Sequence, residues 1–236
     1  MEGITGLGFR RSSPNPGAAG SAAGASERVS AVRGRVGPTE GGPVASIALF
    51  HSVLGIRRGI TDAAELLRAA GHEVRVVDQY DGRTFDDYAE ASRFAEGIGF
   101  PALMQGAVEA VADMADGFLC IGFSNGGGMS EHVAQVRVVR GVVLCSGALP
   151  LPVLGAEAWP AGVPAQLHCS VGDPFRRPGW PEQVVEAVRA AGGAAELFEY
   201  PGRGHLFTDA DRADEYDASS ARLLWQRVLA FCAEHG

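Results

Sequence analysis

The stretch GFLCIGFSNGGGMS at residues 117–130 joins an apolar run to a glycine-rich turn. Residues 117–121 are predicted to form a short buried strand, and residues 126–136 the helix that follows. Between them lies the pattern Gly-x-Ser-x-Gly, in which a sharp strand-to-helix turn projects a serine hydroxyl from the end of a sheet. Glycines on both sides of Ser124 leave room for the bend. The pattern can also arise by chance in a chain with 33 glycines, so its context decides its meaning.

The rest of the chain alternates short apolar runs with segments of helical period. The predicted strands are 44–50, 73–77, 117–121, 141–145, 166–171 and 195–200, and the predicted helices are 61–70, 86–95, 101–114, 126–136, 181–191 and 218–232. Thr61 is the expected cap of the first helix. The buried face of the last helix is expected to consist of Leu223, Leu224, Val228 and Phe231. This alternation predicts an α/β fold with a mostly parallel central sheet flanked by helices.

Partners for the serine follow later predicted strands. A serine hydroxyl becomes a good nucleophile when a histidine accepts its proton and a carboxylate orients that histidine, here in the chain order Ser, acid, His. Asp173 stands just past one predicted strand, and His205 lies in the loop after the last one. Asp209 and Asp211 are close to His205 and stay open as alternatives for the acid, although neither ends a strand. The sequence predicts a triad of Ser124, His205 and Asp173.

Two backbone amides are candidates for an oxyanion hole. The amide of Asn125 opens the helix after the serine, where the helix dipole is positive. The amide of Val53 lies in the loop after the first strand, residues 51–55. Three side chains are candidates for binding substrate: Ser52, Phe123 and Phe207. The alternatives are that the serine holds its loop by hydrogen bonds and that the two aromatic rings belong to the core.

Composition restricts the classes of partner. The formal charge of −8 argues against a nucleic-acid surface, which needs clustered lysine and arginine. No cluster of His, Cys or Asp has metal-ligand spacing, so no metal and no other cofactor is expected. No segment has the length and apolarity of a signal peptide or a membrane span. Cys120, Cys145 and Cys169 lie in predicted buried strands and are expected to be free thiols. These features favour a cytoplasmic protein without a membrane partner.

The chain divides into two parts by composition. Residues 1–43 are dominated by Gly, Ala, Ser, Pro and Arg and are predicted to be a disordered tail, because they carry few large apolar side chains. The alternative is an extended leader from a start codon placed too far upstream. Residues 44–236 are long enough for one well-buried domain, and they are predicted to form the catalytic domain.

In several motifs this domain resembles the dienelactone hydrolase family. The motifs, which run from about residue 44 to residue 232, are HSVLGIRRGITDAAELLRAAGHEV, VVDQYDGRTF, GFSNGG, GDPF and YPGRGHLF followed by YDASSARLLWQRVLAF. The resemblance implies an α/β-hydrolase fold with a nucleophile–His–Asp triad, which maps onto Ser124, His205 and Asp173. The namesake enzymes have a cysteine at the elbow, where this chain has Ser124. They also have a glutamate in the opening loop, where this chain has Ser52.

These observations predict a serine hydrolase of the carboxylesterase or lactonase type. The expected partner is a small-molecule ester or lactone, and the expected state is a monomer or small homo-oligomer. Arg57, Arg83 and Arg203 are available for a substrate carboxylate, although each is more easily explained as a solvated charge. Two alternatives stay open: acyl transfer or cyclisation in a biosynthetic pathway, and a non-catalytic protein that binds its ligand on a hydrolase fold.

Overall fold

The computed structural model describes residues 44–236, so the predicted tail at residues 1–43 lies outside the described part. Six strands form one sheet: β1 (Ser46–Phe50), β2 (Glu73–Val77), β3 (Phe118–Phe123), β4 (Val139–Cys145), β5 (Ala165–Ser170) and β6 (Ala195–Tyr200). Their order is β2-β1-β3-β4-β5-β6, and every neighbouring pair is parallel. The predicted α/β class and the number of strands are confirmed.

Residues 44–236 form seven helices, six between strands and one after the last strand. They are α1 (Arg58–Ala69), α2 (Tyr88–Ile98), α3 (Phe100–Ala110), α4 (Asn125–Val136), α5 (Leu151–Leu154), α6 (Trp180–Ala190) and α7 (Ala218–His235). Six of them were predicted, while α5 was missed because one helical turn carries no readable period. No helix of this part combines the length and hydropathy needed to cross a membrane.

The sheet is buried on both faces, as a parallel sheet covered by helices must be. Ile47 and Leu49 of β1 belong to one core cluster together with side chains of α1 and α7. Ala48 and Phe50, which point the other way, belong to a second cluster with α3, α4 and α6. The alternation of side chains along β1 therefore supplies both cores from one strand.

Two details of the helices differ from the prediction. Helix α1 begins at Arg58 and lacks a side-chain cap; Thr61 lies inside its first turn and its Oγ1 donates to the Arg58 carbonyl at 2.9 Å. Leu223 is 41% exposed, whereas the other three members of the predicted face of α7 are buried. The prediction that Leu223 is buried was wrong, because the helical period that turns the other three side chains toward the sheet turns Leu223 away from it.

The four cysteines of the chain are all buried and free, as predicted for the three in strands. Burial raises the pKa of Cys169 and of Cys232 to about 12, and it also raises the pKa of Cys120 and Cys145. A thiol reacts as its thiolate, so these groups are held in an unreactive form.

Candidate active site

Ser124 occupies the tight turn between β3 and α4. Its backbone has φ 51° and ψ −113°, a region that residues other than glycine rarely adopt. A side chain at Gly122 would clash with the Gly126 carbonyl, and one at Gly126 would clash with the Phe50 carbonyl. The Ser124 amide donates to the Cys145 carbonyl at 2.8 Å and fastens the turn to the end of β4. The two glycines of the pattern are therefore required by close backbone packing.

The structure brings Ser124, His205 and Asp173 together. His205 Nε2 lies 2.7 Å from Ser124 Oγ, and His205 Nδ1 lies 2.7 Å from Asp173 Oδ2. An ionised carboxylate can only accept, so Nδ1 carries the hydrogen and Nε2 accepts from the serine hydroxyl. Exposed fractions are 6% for Ser124, 7% for Asp173 and 3% for His205. The three groups form an unbroken, nearly dry chain of hydrogen bonds.

The two alternative acids lie elsewhere. Asp209 Oδ2 is 3.5 Å from Arg57 Nε, and Asp211 Oδ1 is 3.5 Å from Arg58 Nη1. Both aspartates face the cationic start of α1, although they are only a few residues from His205 in the chain. Proximity in sequence therefore did not predict contact with the histidine, whereas position after a strand did.

The loops that carry the acid and the histidine are themselves held by short hydrogen bonds. Asp173 Oδ1 accepts from the Phe175 amide at 2.8 Å, which orients the carboxylate toward the histidine. Ser170 Oγ donates to the Gly204 carbonyl at 2.7 Å and joins the end of β5 to the His205 loop. The Phe175 ring packs edge to face on His205, with centroids 4.8 Å apart. The GDPF motif thus supplies Asp173 and also an aromatic ring that packs on His205, and the sequence did not predict the second contact.

A cavity of about 370 Å³ opens beside the triad. Ser124, Asp173, His205 and the candidate oxyanion residue Asn125 form part of its lining. Its other walls are largely apolar and include Leu149, Phe175 and Trp180. Apolar walls around a few polar groups are typical of small-molecule sites.

The three predicted substrate-binding side chains lie outside this cavity. Phe123 is buried against Trp225, and Phe207 is buried against Tyr200, with ring centroids 6.2 and 5.0 Å apart. Ser52 Oγ accepts from the Leu54 amide at 3.2 Å and holds the opening loop. The structure thus favours the alternatives, core packing for the rings and loop support for the serine. Val53 is buried in the same core, and the role of its amide stays a prediction.

The arginines of the cavity were not those selected from the sequence. Arg57 pairs with Asp86 and Asp209 away from the cavity, and Arg83 and Arg203 are also absent from its lining. Two guanidinium groups that do form part of the lining belong to Arg176 and Arg177. Their only signal in the sequence was their position directly after the GDPF motif.

The two cavity arginines have different surroundings. Arg176 is bound to Glu199 at 2.6 Å and to Glu182 at 3.0 Å, so two carboxylates offset its charge. Arg177 lies over the Trp180 ring, 6.0 Å from its centroid. Within residues 44–236, no group of three or more His, Cys, Asp or Glu side chains is arranged to hold a metal ion. The polar residues that line the cavity thus include Asn125, Ser146 and the two arginines besides the triad.

Comparison with known sequences identifies the family that this chain resembles. Residues 32–236 match the sequence profile of the dienelactone hydrolase family. Two curated proteins with the name "Putative carboxymethylenebutenolidase", from Yersinia pestis and Escherichia coli strain K12, are 44% and 42% identical to the chain over 55 residues. This segment is 23% of the chain and 20% of each relative, so the chain matches about one fifth of the length of these relatives.

Solved structures share the fold at low sequence identity. A dienelactone hydrolase-like promiscuous phosphotriesterase from metagenomic libraries has a TM-score of 0.68 at 19% identity, covering 83% of this chain and 88% of that one. The mouse alpha/beta hydrolase domain-containing protein 10 has a TM-score of 0.60 at 13% identity, covering 83% and 92%. These similarities concern the fold alone, and they show that the sheet and its helices have the α/β-hydrolase fold.

Proposed function

The chain belongs to the dienelactone hydrolase family, and we propose that it hydrolyses a carboxylic ester or lactone of a small molecule through an acyl-enzyme on Ser124. The observation that carries the proposal is the chain of two 2.7 Å hydrogen bonds from Ser124 through His205 to Asp173 at the wall of a cavity. A base within hydrogen-bond distance of a hydroxyl, oriented in turn by a buried carboxylate, is the arrangement that acyl transfer needs.

In the acylation step, Ser124 Oγ attacks the carbonyl carbon of the substrate while His205 Nε2 takes the hydroxyl proton. The imidazolium that forms is stabilised by Asp173, whose Oδ2 already accepts from Nδ1. When the tetrahedral intermediate collapses, the bond to the leaving alcohol breaks and His205 returns the proton to that oxygen. In a lactone the leaving oxygen stays attached to the acyl group.

Deacylation repeats these steps with water. His205 removes a proton from a water molecule, which attacks the acyl carbon, and Ser124 leaves with that proton. The negative oxygen of both intermediates needs hydrogen-bond donors, for which we propose the amides of Asn125 and Val53. The amide of Asn125 is supported by its place in the first turn of α4, beside the nucleophile and in the lining of the cavity.

The direct test is turnover of p-nitrophenyl acetate and an aryl lactone by the wild type and by Ser124→Ala. We expect the substitution to lower kcat by about 10⁴-fold or more, since removing a triad member removes most of the rate enhancement. Ser130→Ala is the matched control, because it removes a buried hydroxyl of α4, the helix that follows Ser124, and this hydroxyl makes no bond to the triad. Equal rates in the wild type and in Ser124→Ala would exclude this mechanism.

The two alternatives have their own outcomes in the same assay. Acyl transfer predicts that an added alcohol or amine is incorporated into the product faster than water. A protein that only binds its ligand predicts no turnover and no labelling of Ser124 by a fluorophosphonate.

A further inference from the structure

We propose that Glu215 is a positioning residue for His205, an inference that rests on the proposed function. Its carboxylate holds the peptide amide next to the histidine and the tyrosine ring beside it. Glu215 precedes α7 and does not belong to the cavity lining, and its hydrogen bonds go to residues other than Ser124. Glu215 would therefore affect the reaction only through the position of His205.

The Glu215 carboxylate receives hydrogen bonds from three segments of the chain. Oε2 accepts from the Leu206 amide at 2.7 Å and from the Tyr88 hydroxyl at 3.0 Å. Oε1 accepts from Arg212 Nε at 2.7 Å. Since Leu206 directly follows His205, the first of these bonds fixes the backbone from which the imidazole projects. A carboxylate with several donors is a strong anchor, because charge-assisted hydrogen bonds are about twice as strong as neutral ones.

The hydrogen bond from the Tyr88 hydroxyl holds the tyrosine ring in place beside the imidazole of His205. The Tyr88 ring packs edge to face on His205, with centroids 5.8 Å apart, and lies 4.8 Å from the Phe175 ring. Phe175 itself is 4.8 Å from His205, so the imidazole contacts two aromatic rings that also contact each other. Burial and the negative charge of Glu215 raise the pKa of Tyr88, which keeps its hydroxyl protonated as a donor. These rings restrict rotation of the imidazole away from Ser124.

Arg212 balances the charge of the partly buried carboxylate. Its guanidinium lies over the Tyr88 ring, 4.6 Å from the centroid, and donates to the Asp86 carbonyl at 3.1 Å. The backbone just before His205 also lies close to Glu215, because a side chain at Gly204 would clash with the Glu215 carbonyl. Loss of the Glu215 carboxylate would leave two buried donors, the Leu206 amide and the Tyr88 hydroxyl, without this acceptor. The loop that carries His205 would then relax, and the imidazole would lose its position relative to Ser124.

The test compares Glu215→Ala, Glu215→Gln and Asp217→Ala in the full chain, with active sites counted by fluorophosphonate titration. We expect Glu215→Ala to lower kcat by roughly tenfold to a hundredfold, as misplacement of a base by about 1 Å does, with KM little changed. Glu215→Gln keeps an acceptor for the Leu206 amide, so it should recover most of kcat.

Asp217→Ala is the matched control for stability. Asp217 caps α7 by accepting from the Ser220 amide at 2.7 Å, and its side chain makes no bond to the histidine loop. Its loss should lower the melting temperature while kcat per active site stays at the wild-type value. If Glu215→Ala also lowers only the melting temperature, or if both variants lose kcat alike, the positioning role is overturned.

A readout without turnover separates this inference from the proposed function. The proton between His205 Nδ1 and Asp173 should give a downfield NMR signal in the wild type that is broadened in Glu215→Ala and retained in Asp217→Ala. An inactive wild type with that pattern would contradict the proposed hydrolysis and still support the positioning role. An unchanged signal in Glu215→Ala together with unchanged kcat would contradict the role in an active enzyme.

Discussion

The cavity has two walls that the chain builds in different ways. The triad wall consists of Ser124, Asp173 and His205, which are buried, follow the ends of three strands and are joined by hydrogen bonds. The substrate wall consists of Leu149, Arg176, Arg177 and Trp180, which lie in loops or at a helix start and are more exposed. The difference indicates that the sheet fixes the positions of the three triad residues, while we propose that the loops determine which molecules reach them.

The largest effect after loss of the nucleophile is expected at the acid of the triad wall. In Asp173→Asn, the carboxamide oxygen should stay with the Phe175 amide, which now donates to Oδ1 at 2.8 Å. The NH₂ group would then face His205 Nδ1 and impose the tautomer whose Nε2 carries the hydrogen and cannot accept the serine proton. We expect kcat to fall by roughly 10³- to 10⁴-fold, with little change in KM, as measured with p-nitrophenyl esters.

Asp211→Asn is the matched control, because this aspartate was an alternative acid and pairs with Arg58 on the surface. It should retain wild-type kcat. If the two substitutions reduced kcat equally, the triad wall would have to be assigned anew.

The same contrast explains what the sequence could predict. Each member of the triad wall lies at the end of a strand or in the loop just after it, and parallel strands bring such positions to one edge of the sheet. No such rule predicts the substrate wall. Residues 146–149 and 174–180 have no periodic pattern of apolar side chains, and their conformation depends on packing against distant parts of the fold. Phe123 illustrates the limit, since it is adjacent to Ser124 in sequence and yet packs into the core against α7.

A smaller effect is expected where the two walls meet. Glu131 of α4 is fully buried, and its Oε2 accepts from the Leu149 amide at 2.9 Å, so it joins the helix after Ser124 to the substrate wall. Burial raises the pKa of Glu131 well above its usual value of 4.5. Above about pH 4.5 the Glu131 carboxyl group therefore loses its proton in the unfolded chain and keeps it in the folded chain.

This proton gives stability a defined pH dependence. Because the native state binds the extra proton, the free energy of unfolding should fall as pH rises from about 4.5 toward the raised pKa, by up to about 1.4 kcal/mol per unit, and then level off. Glu131→Gln is neutral and keeps an acceptor for the Leu149 amide, so it should remove this slope. Urea unfolding between pH 5 and 8 measures this slope, and the control is Glu109→Gln, a substitution of an exposed glutamate. Parallel profiles for Glu131→Gln and the wild type would show that Glu131 is ionised when folded.

The smallest effect is expected on the substrate wall, and it should depend on the substrate. Arg177 is an exposed residue in the lining of the cavity, where its guanidinium can attract a negatively charged acyl group. In Arg177→Gln we expect kcat/KM for an anionic ester to fall by roughly threefold to fivefold, since an exposed ion pair contributes at most about 1 kcal/mol. A neutral ester of the same shape should be unaffected, and so should both esters in Arg203→Gln, which lies outside the lining. An equal loss for both esters in Arg177→Gln would mean that this arginine acts on the triad wall, and the division of the cavity into two independent walls would fail.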